Sequence, residues 1–441
     1  MTAEITIMNK SAIALAADSA VTVSGTKIYN SANKLFMLSK YHPVGIMIFQ
    51  NADFMGVPWE TIIKMFRKTL DHNKCATVKE YSIKFINFLE NNRSLFDAEV
   101  QKTVFTQNVE YIFERILKNF IDKHSKLEYE SYKIARNNKT LIEDVAQEPI
   151  LNDVINGEYN RYKNELLSIK NLEHLKDEDL VKNYKDVLKE TSDRIFSNTP
   201  VNEVLKEKLE LIAVNYFLKN NFFERYVNYS GIVIAGFGSE EHFPSYIHFL
   251  VDNIFENKLK YGNFEESSLE ESGGVVIRFF AQDQMGKFFM RGIEEQLEKK
   301  SLFQMYRKFI EFRNESISFL NFDDEAKQNF VDQSETIIKN KINEYRQILN
   351  NTIQEDFVTP VLDTVASLPK DELAAMAESL VNLASFKKRV SGEKETVGGP
   401  IDVAVISKGD GFVWIKRKHY FNLEFNPHFR ENYHMGEDNA N

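Results

Sequence analysis

Hydrophobic and polar residues alternate with a period of two at the start of the chain. Residues 3–7 alternate, residues 9–11 are the turn-forming Asn-Lys-Ser, and residues 12–17 form a short apolar run. Successive side chains of a strand point to opposite faces, so this pattern predicts a hairpin of two strands. Asp18 then stands where the second strand ends.

Further short apolar segments predict additional strands. They span residues 27–29, 34–38, 44–49, 230–238, 243–249, 275–280, 396–406 and 412–415, and most are bounded by Gly or Pro. The first three follow the hairpin closely, the next three lie within residues 230–280 and the last two within residues 396–415, and long tracts separate these groups. The strands therefore fall into three groups along the chain.

The tracts between these groups carry helical periodicity. Pro58 precedes an apolar-periodic run and signals a helix start, and residues 204–217 form an apolar stripe with helical spacing. A second helical tract spans residues 288–385, with another helix start near Pro369. The charged stretch 158–190 is typical of solvated helix faces, with a partner-binding surface as the alternative.

Composition narrows the class of protein. The 441 residues carry a net charge of −10, which argues against a nucleic-acid-binding surface. The single cysteine, Cys75, excludes an internal disulfide framework, suits a reducing compartment and is interpreted as a helix residue. No signal peptide and no apolar run of membrane-spanning length is found, so we expect a cytoplasmic protein with no membrane partner.

The sequence predicts no metal and no cofactor. His242 and His248 lack a third ligand at convincing spacing. Gly236 and Gly238 are not followed by the remaining residues of a phosphate-binding loop, so tight turns explain them better.

Three residues near the start of the chain carry candidate chemistry. Thr2 follows Met1, and methionine removal, by an aminopeptidase or by the chain itself, would make Thr2 the N-terminus. A terminal Thr combines a hydroxyl nucleophile with an α-amine of pKa about 7.7–8.0, which can accept the hydroxyl proton. A partly buried Lys34 would stabilise the alkoxide and lower the pKa of the amine, and Asp18 would pair with Lys34.

Each of the two charged residues has a simpler interpretation when it is taken alone. Lys34 at a strand end could extend its amine to solvent, and Asp18 could cap a turn. The joint spacing of Thr2, Asp18 and Lys34 favours the catalytic interpretation.

The segments Ile13-Ala-Leu-Ala-Ala-Asp-Ser19 and Asn33-Lys-Leu-Phe36 resemble the start of a proteasome β-subunit. In that family the nucleophilic Thr, an Asp and a Lys occur at these same intervals. The resemblance implies a threonine-type N-terminal-nucleophile (Ntn) hydrolase, which cleaves a peptide or amide bond through an acyl-enzyme on the Thr.

The resemblance also implies auxiliary positions, where this chain departs from the family. Phe49 or Gln50 stands where the family has the Gly whose backbone N–H binds the oxyanion. Gln282 and Asp283 occupy the region of an auxiliary Ser, and Asp283 is alternatively a helix cap. Glu395 and Thr396 precede the late Gly-Gly pair, where the family has an Asp and a Ser.

The implied fold is α+β, a four-layer αββα sandwich in which two antiparallel sheets pack face to face, with two large helical insertions. The expected core consists of residues 1–70, 226–287 and 386–425. Residues 71–225 are expected to form a helical insertion and residues 288–385 an expanded helical layer. The tail 426–441 is expected to be disordered.

Three functions remain open at this point. The first is a threonine peptidase acting on peptides, and the second is an amidase or acylase acting on a small amide. The third is a non-catalytic, proteasome-like scaffold that binds a protein partner through its helical insertions. A homo-oligomer is compatible with all three, but a stacked ring is not assumed, because the insertions would obstruct its usual contacts.

Overall fold

The computed structural model describes residues 3–23, 27–138, 145–166, 169, 172, 175–219, 229–281, 283–319, 323–391 and 397–428. Within these ranges the strands are β1 Ala3–Asn9, β2 Ala12–Ala17, β3 Val21–Val23, β4 Lys27–Tyr29, β5 Leu35–Met37, β6 Val44–Gln50, β7 Asp53–Phe54, β8 Val57–Pro58, β9 Ser230–Gly236, β10 Ser245–Phe255, β11 Lys258–Ser268, β12 Val275–Ala281, β13 Asp402–Ser407 and β14 Gly411–Lys416.

The helices of the same ranges are α1 Trp59–Leu70, α2 Val78–Asn91, α3 Ala98–Asn138, α4 Gln147–Leu166, α5 Asp177–Asn183, α6 Lys185–Ile195, α7 Glu203–Leu218, α8 Leu269–Ser272, α9 Gln284–Arg291, α10 Glu295–Ser318, α11 Asp324–Thr352, α12 Thr359–Ala366 and α13 Lys370–Val390. A π-helical segment, Ile353–Val358, joins α11 to α12. The fold is therefore α+β, with antiparallel sheets.

The first five-stranded sheet has the order β12-β1-β2-β13-β14. The predicted hairpin is confirmed, since β1 pairs with β2 from Glu4 opposite Ala17 to Asn9 opposite Ala12. On its other side β1 pairs with β12, which places Ala3 opposite Ala281. The end of β12 therefore lies beside the beginning of β1.

The two faces of β1 have different environments. Ala3, Ile5 and Ile7 join a buried apolar cluster with residues of α13 such as Leu373 and Ala377. Burying a side chain the size of Ile stabilises the fold by about 1.5–3 kcal/mol, so this contact holds α13 on the sheet. The alternate β1 side chains, starting with Glu4, point to the opposite face because the strand has a period of two.

The second five-stranded sheet has the order β11-β10-β9-β6-β5. A side chain added at Gly45 of β6 would come within 2.8 Å of Phe412 and 3.0 Å of Ile406, residues of β14 and β13. Gly45 therefore lets the backbone of β6 lie directly against the first sheet. Gly236, at the end of β9, has a φ of +145° and a site for Cβ only 2.0 Å from the carbonyl oxygen of Pro43, so this position requires glycine.

The described residues form two compact units. The first comprises those within 1–49, 235–246 and 267–441, and the second those within 50–234 and 247–266. The predicted helical insertion, 71–225, falls in the second unit, and the predicted helical layer, 288–385, falls in the first. The segment boundaries drawn from the sequence stay predictions.

The second unit has its own apolar core, built mainly from α3, α4, α6 and α7. At its edge lies a buried polar cluster that the sequence did not reveal. Asp252 accepts a hydrogen bond from Tyr216 Oη at 2.5 Å, and Lys260 Nζ lies 3.2 Å from the same carboxylate. Each charge is thus paired, as a buried charge must be to avoid a large desolvation cost.

Several further sequence predictions can be compared with the structure. Cys75 is buried but lies between α1 and α2, so its assignment to a helix is wrong. The sequence analysis did not predict the long strand β11, because the second half of that strand is mostly polar. In the part of the chain that the structure describes, no helix is both long and apolar enough to cross a membrane. Most of the tail predicted to be disordered, from residue 429 onwards, lies outside the described residues.

Candidate active site

Asp18 stands immediately after β2 and is completely buried. Its carboxylate oxygens accept hydrogen bonds from Ala3 N at 3.1 Å, Ala20 N at 3.3 Å, Gly398 N at 3.0 Å and Lys34 Nζ at 2.7 Å. The backbone N–H of Asp18 in turn donates to the carbonyl oxygen of Ala3 at 3.1 Å. Four donors therefore converge on this carboxylate and fix its position, and the bond from Lys34 is the shortest.

Lys34 lies just before β5, and its side chain is only 8% exposed. Its backbone is held as well, because its carbonyl oxygen accepts a hydrogen bond from Ile48 N of β6 at 2.8 Å. Removing one member of such a buried pair leaves an uncompensated charge, which typically costs about 3–5 kcal/mol. The structure therefore brings together Asp18 and Lys34, as the sequence predicted.

Residues 398–400 form hydrogen bonds with residues 18–19 at this site. Ser19 N donates to the carbonyl oxygen of Gly398 at 3.1 Å, while Gly398 N donates to Asp18. The Ser19 hydroxyl also donates to the carbonyl oxygen of Pro400. These hydrogen bonds join residues 18–19 to residues 398–400.

A second lysine–aspartate pair lies next to the first. Asp402 of β13 is opposite Ala17 of β2 and is buried. It forms an ion pair with Lys418 Nζ and accepts a hydrogen bond from Lys418 N at 2.8 Å. Burial lowers the pKa of Lys418, Asp402 raises it, and the positive charge of Lys34 lowers it further. The two pairs thus interact electrostatically.

Glu4 is a further ionisable residue at this site. It is 2% exposed, and neither carboxylate oxygen has a hydrogen-bond partner among the described residues. Burial raises the pKa of Glu4 well above its ordinary value of 4.5, Lys34 opposes this rise, and the negative charge of Asp18 adds to it. A carboxyl group in these surroundings favours its neutral form.

Sequence reasoning missed Glu4 and the Asp402–Lys418 pair. Glu4 occurs in an alternating strand, where a polar residue is expected on the solvent side. Asp402 belongs to β13 and Lys418 follows β14, and the pairing of β13 with β2 brings Asp402 beside the end of β2.

The predicted oxyanion positions lie at the end of β6. Phe49 is buried and stacks on Phe280 of β12, with ring centroids 5.9 Å apart. Gln50 is exposed and has a φ of 74°, an uncommon value for a residue other than Gly. A residue with positive φ therefore occupies the position where the proteasome resemblance expects Gly. Its role as an oxyanion donor stays a prediction.

Asp283 follows β12 and precedes α9. Its side chain forms no capping hydrogen bond with that helix and instead forms an ion pair with Lys287, one turn further on. Asp283 therefore occupies the N-cap position of α9, as the alternative interpretation expected, but without a side-chain capping bond, and its auxiliary catalytic role stays a prediction. Ala281, two residues earlier, has a φ of 67° and pairs with Ala3.

Four predicted site residues lie outside the described part of the chain, namely Thr2, Gln282, Glu395 and Thr396. Their nearest described neighbours in sequence are Ala3, Ala281 and Val397. Among the described residues, no group of three or more His, Cys, Asp or Glu side chains is arranged to hold a metal ion.

Comparison with models of known protein families and with curated proteins finds no match for this chain.

Proposed function

We propose that this protein is a threonine-type Ntn hydrolase with Thr2 as its nucleophile. One observation carries the proposal: the buried Lys34–Asp18 ion pair, at 2.7 Å, accepts a further hydrogen bond from the amide of Ala3, the residue that follows Thr2. A fixed ammonium group beside the start of the chain is what a terminal hydroxyl needs to become an alkoxide.

The reaction requires Thr2 to be freed from the residue before it. The Thr2 hydroxyl then attacks the carbonyl carbon of an amide, and the α-amine of Thr2 accepts the hydroxyl proton. The amine passes this proton to the leaving nitrogen as the C–N bond breaks, which leaves an ester on Thr2. Water, activated by the same amine, hydrolyses the ester and regenerates the hydroxyl.

The residues around Asp18 and at the end of β6 have separate roles in this mechanism. Lys34 stabilises the negative charge that develops on the Thr2 oxygen, and Asp18 orients Lys34 and compensates its charge. The amides of Ala3 and Gly398 hold Asp18 in position. Backbone N–H groups at Phe49 or Gln50 supply the oxyanion donor.

We also propose the finer fold assignment, an αββα sandwich of the Ntn type. Two contacts support it: the packing of α13 on β1 and β2, and the direct approach of β6 to β13 and β14 at Gly45. The proposed substrates are peptides, as for the family that the first 36 residues resemble. A small amide is the alternative that experiment must separate from them.

The decisive test uses intact-mass spectrometry of the purified chain, with and without a peptide epoxyketone, which reacts with both the hydroxyl and the amine of a terminal Thr. We expect a mass that lacks Met1 and a single inhibitor adduct. Thr2→Ala should abolish the adduct, whereas Thr6→Ala, the same change within β1, should retain it. Retained Met1, or an adduct that survives Thr2→Ala, would overturn the proposal.

Substrate class is tested separately with the active protein. A library of fluorogenic peptides is compared with simple acyl-amides of similar leaving group. Cleavage of peptides supports the peptidase, whereas cleavage of the acyl-amides alone would reject it and leave the same nucleophile acting as an amidase.

A further inference from the structure

Helices α10 and α11 form an antiparallel hairpin in the first unit, 24 and 29 residues long. Arg313 of α10 lies 4.0 Å from Glu335 and donates to the carbonyl oxygen of Val331, both on α11. Nearer the other end, Leu302 and Ile342 line a common groove. These contacts define the face that each helix turns toward the other.

A second face of α10 is apolar and exposed. Its residues and their exposed fractions are Leu297 at 56%, Phe309 at 43% and Phe312 at 69%, and Phe319, which directly follows the helix, is 86% exposed. At about 100° per residue, the three helical side chains fall within an arc of about 120°. Phe303, which is 59% exposed, lies outside this arc and lines the groove between α10 and α11.

Helix α11 carries a matching exposed face. None of its side chains is buried, although the structure describes every residue of the helix. Ile337 is 59% exposed, Tyr345 46% and Ile348 62%, and at about 100° per residue they span an arc of about 80°.

The two exposed faces lie on the same side of the hairpin. On each helix the exposed apolar residues stand roughly 100° from the inter-helical face, in the same rotational sense. Because the helices are antiparallel, equal rotations on the two helices turn toward the same side. The seven residues therefore lie on one side of the hairpin, with the exposed Lys308 and Lys341 among them, and this surface is called here the hairpin face.

The hairpin face is large enough to support a stable interface. An aromatic side chain offers about 150–250 Å² and the aliphatic ones somewhat less, so the exposed fractions leave on the order of 800 Å² of apolar surface. That is about the area that each partner of a standard protein–protein interface buries. Apolar patches of this size on a protein surface mark interaction sites.

Charge along the hairpin indicates which partner fits. The tip, residues 311–335, carries seven acidic and two basic side chains, a net charge of −5. The base, residues 295–310 and 336–352, carries three acidic and seven basic side chains, a net charge of +4. The hairpin is therefore self-complementary, because the tip of one copy attracts the base of another.

We propose that the hairpin face binds the same face of a second copy of this chain, with the two hairpins antiparallel. The two-fold axis then lies in the interface, perpendicular to the long axis of each hairpin, and the four helices form a bundle. The acidic tip of each hairpin then lies over the positively charged base, residues 295–310 and 336–352, of the other hairpin. A parallel arrangement would bring the two acidic tips together and is disfavoured by their repulsion.

The first test measures the mass of the full-length chain in solution by sedimentation equilibrium across micromolar concentrations. We expect a dimer. Phe312→Glu, in the centre of the hairpin face, should weaken it at least about thirtyfold, as expected for a central aromatic anchor. Phe386→Glu, the same change at a similarly exposed residue of α13 outside the hairpin, should leave the dissociation constant nearly unchanged, with circular dichroism used to check that both variants stay helical.

The second test reverses one charge at each end of the hairpin. Glu315→Lys at the tip and Lys341→Glu at the base should each weaken the dimer by about tenfold, because each creates repulsion twice in a two-fold assembly. The two changes in one chain should restore most of the affinity.

Three outcomes would overturn the proposal. They are a monomer at every concentration, a dimer that persists in Phe312→Glu, and a combined charge variant that binds more weakly than either single variant. A chain that stays monomeric at every concentration would assign the hairpin face to the binding of a different protein. These results do not depend on hydrolysis, since no residue of the hairpin takes part in the proposed reaction.

Discussion

The backbone N–H of Gly398 donates a hydrogen bond to Oδ2 of Asp18, 3.0 Å away, although 380 residues separate the two in sequence. The other oxygen of the same carboxylate accepts from Ala3 N and Lys34 Nζ. Asp18 therefore connects the first strand, the lysine before β5 and the segment that leads into β13. Its role in the proposed mechanism is to position Lys34, and its role in the fold is to join these three parts.

The first prediction concerns the buried ion pair. Lys34→Met should abolish the epoxyketone adduct and lower the free energy of unfolding by about 3–5 kcal/mol, because Asp18 would remain buried without its cation. Adding Asp18→Asn to this variant should recover part of the stability without recovering the adduct. Urea unfolding of the single and double variants provides the comparison. Equal stability of Lys34→Met and the parent protein would contradict the prediction.

The second prediction concerns pH. The pKa of Glu4 is raised above 4.5 in the folded state, mainly by burial. Between 4.5 and the raised value the unfolded chain releases a proton that the folded chain keeps, so stability falls as pH rises through this window. Glu4→Gln removes this loss.

The free energy of unfolding of Glu4→Gln relative to the parent protein should therefore increase with pH above about 4.5 and be constant below it. Chemical denaturation at a series of pH values measures this difference. A difference that does not change with pH would show that Glu4 has no raised pKa.

The third prediction concerns the close approach at Gly236. Gly236→Ala places Cβ against the Pro43 carbonyl and keeps a φ that alanine avoids, so it should cost at least about 3 kcal/mol. Gly157→Ala is the control, since Gly157 lies within α4 and its added Cβ would meet nothing within 4 Å. This control should stabilise the protein by about 0.5–1 kcal/mol. Thermal or urea unfolding that ranks the two variants in the opposite order would refute the geometry.

The fourth prediction separates the two roles of Asp283. Asp283→Asn and Lys287→Gln both break the same half-exposed ion pair, so each should change stability by less than about 1 kcal/mol. If Asp283 assists Thr2, Asp283→Asn alone should slow formation of the epoxyketone adduct. Adduct rates that are equal in the two variants would assign Asp283 to the ion pair only.

Much of the local structure follows from short stretches of sequence. The alternation in residues 3–7 and the apolar run in residues 12–17 suffice for the β1–β2 hairpin, because a two-strand pattern with a polar turn is encoded within 15 residues. The same stretch fixes Asp18 at the end of β2, and the spacing to Lys34 predicted the pair that the structure contains.

Other features depend on long-range pairing. The alternation shows that β1 has two faces, but not that its polar face is covered, and so Glu4 could not be recognised as a buried acid. The pairing of β1 with β12, and of β2 with β13, joins segments more than 250 residues apart. These pairings depend on the packing of whole layers, which no local pattern records.

The hairpin, the lysine–aspartate pair and the helical character of both long tracts could be predicted from the amino-acid pattern, because each depends on residues close together in the chain. Gly398 and Lys418 come to the same site through long-range strand pairing, so their place there is visible only in the folded chain. The shared exposed side of the apolar residues of α10 and α11 is likewise visible only there, because it depends on how two antiparallel helices turn toward each other.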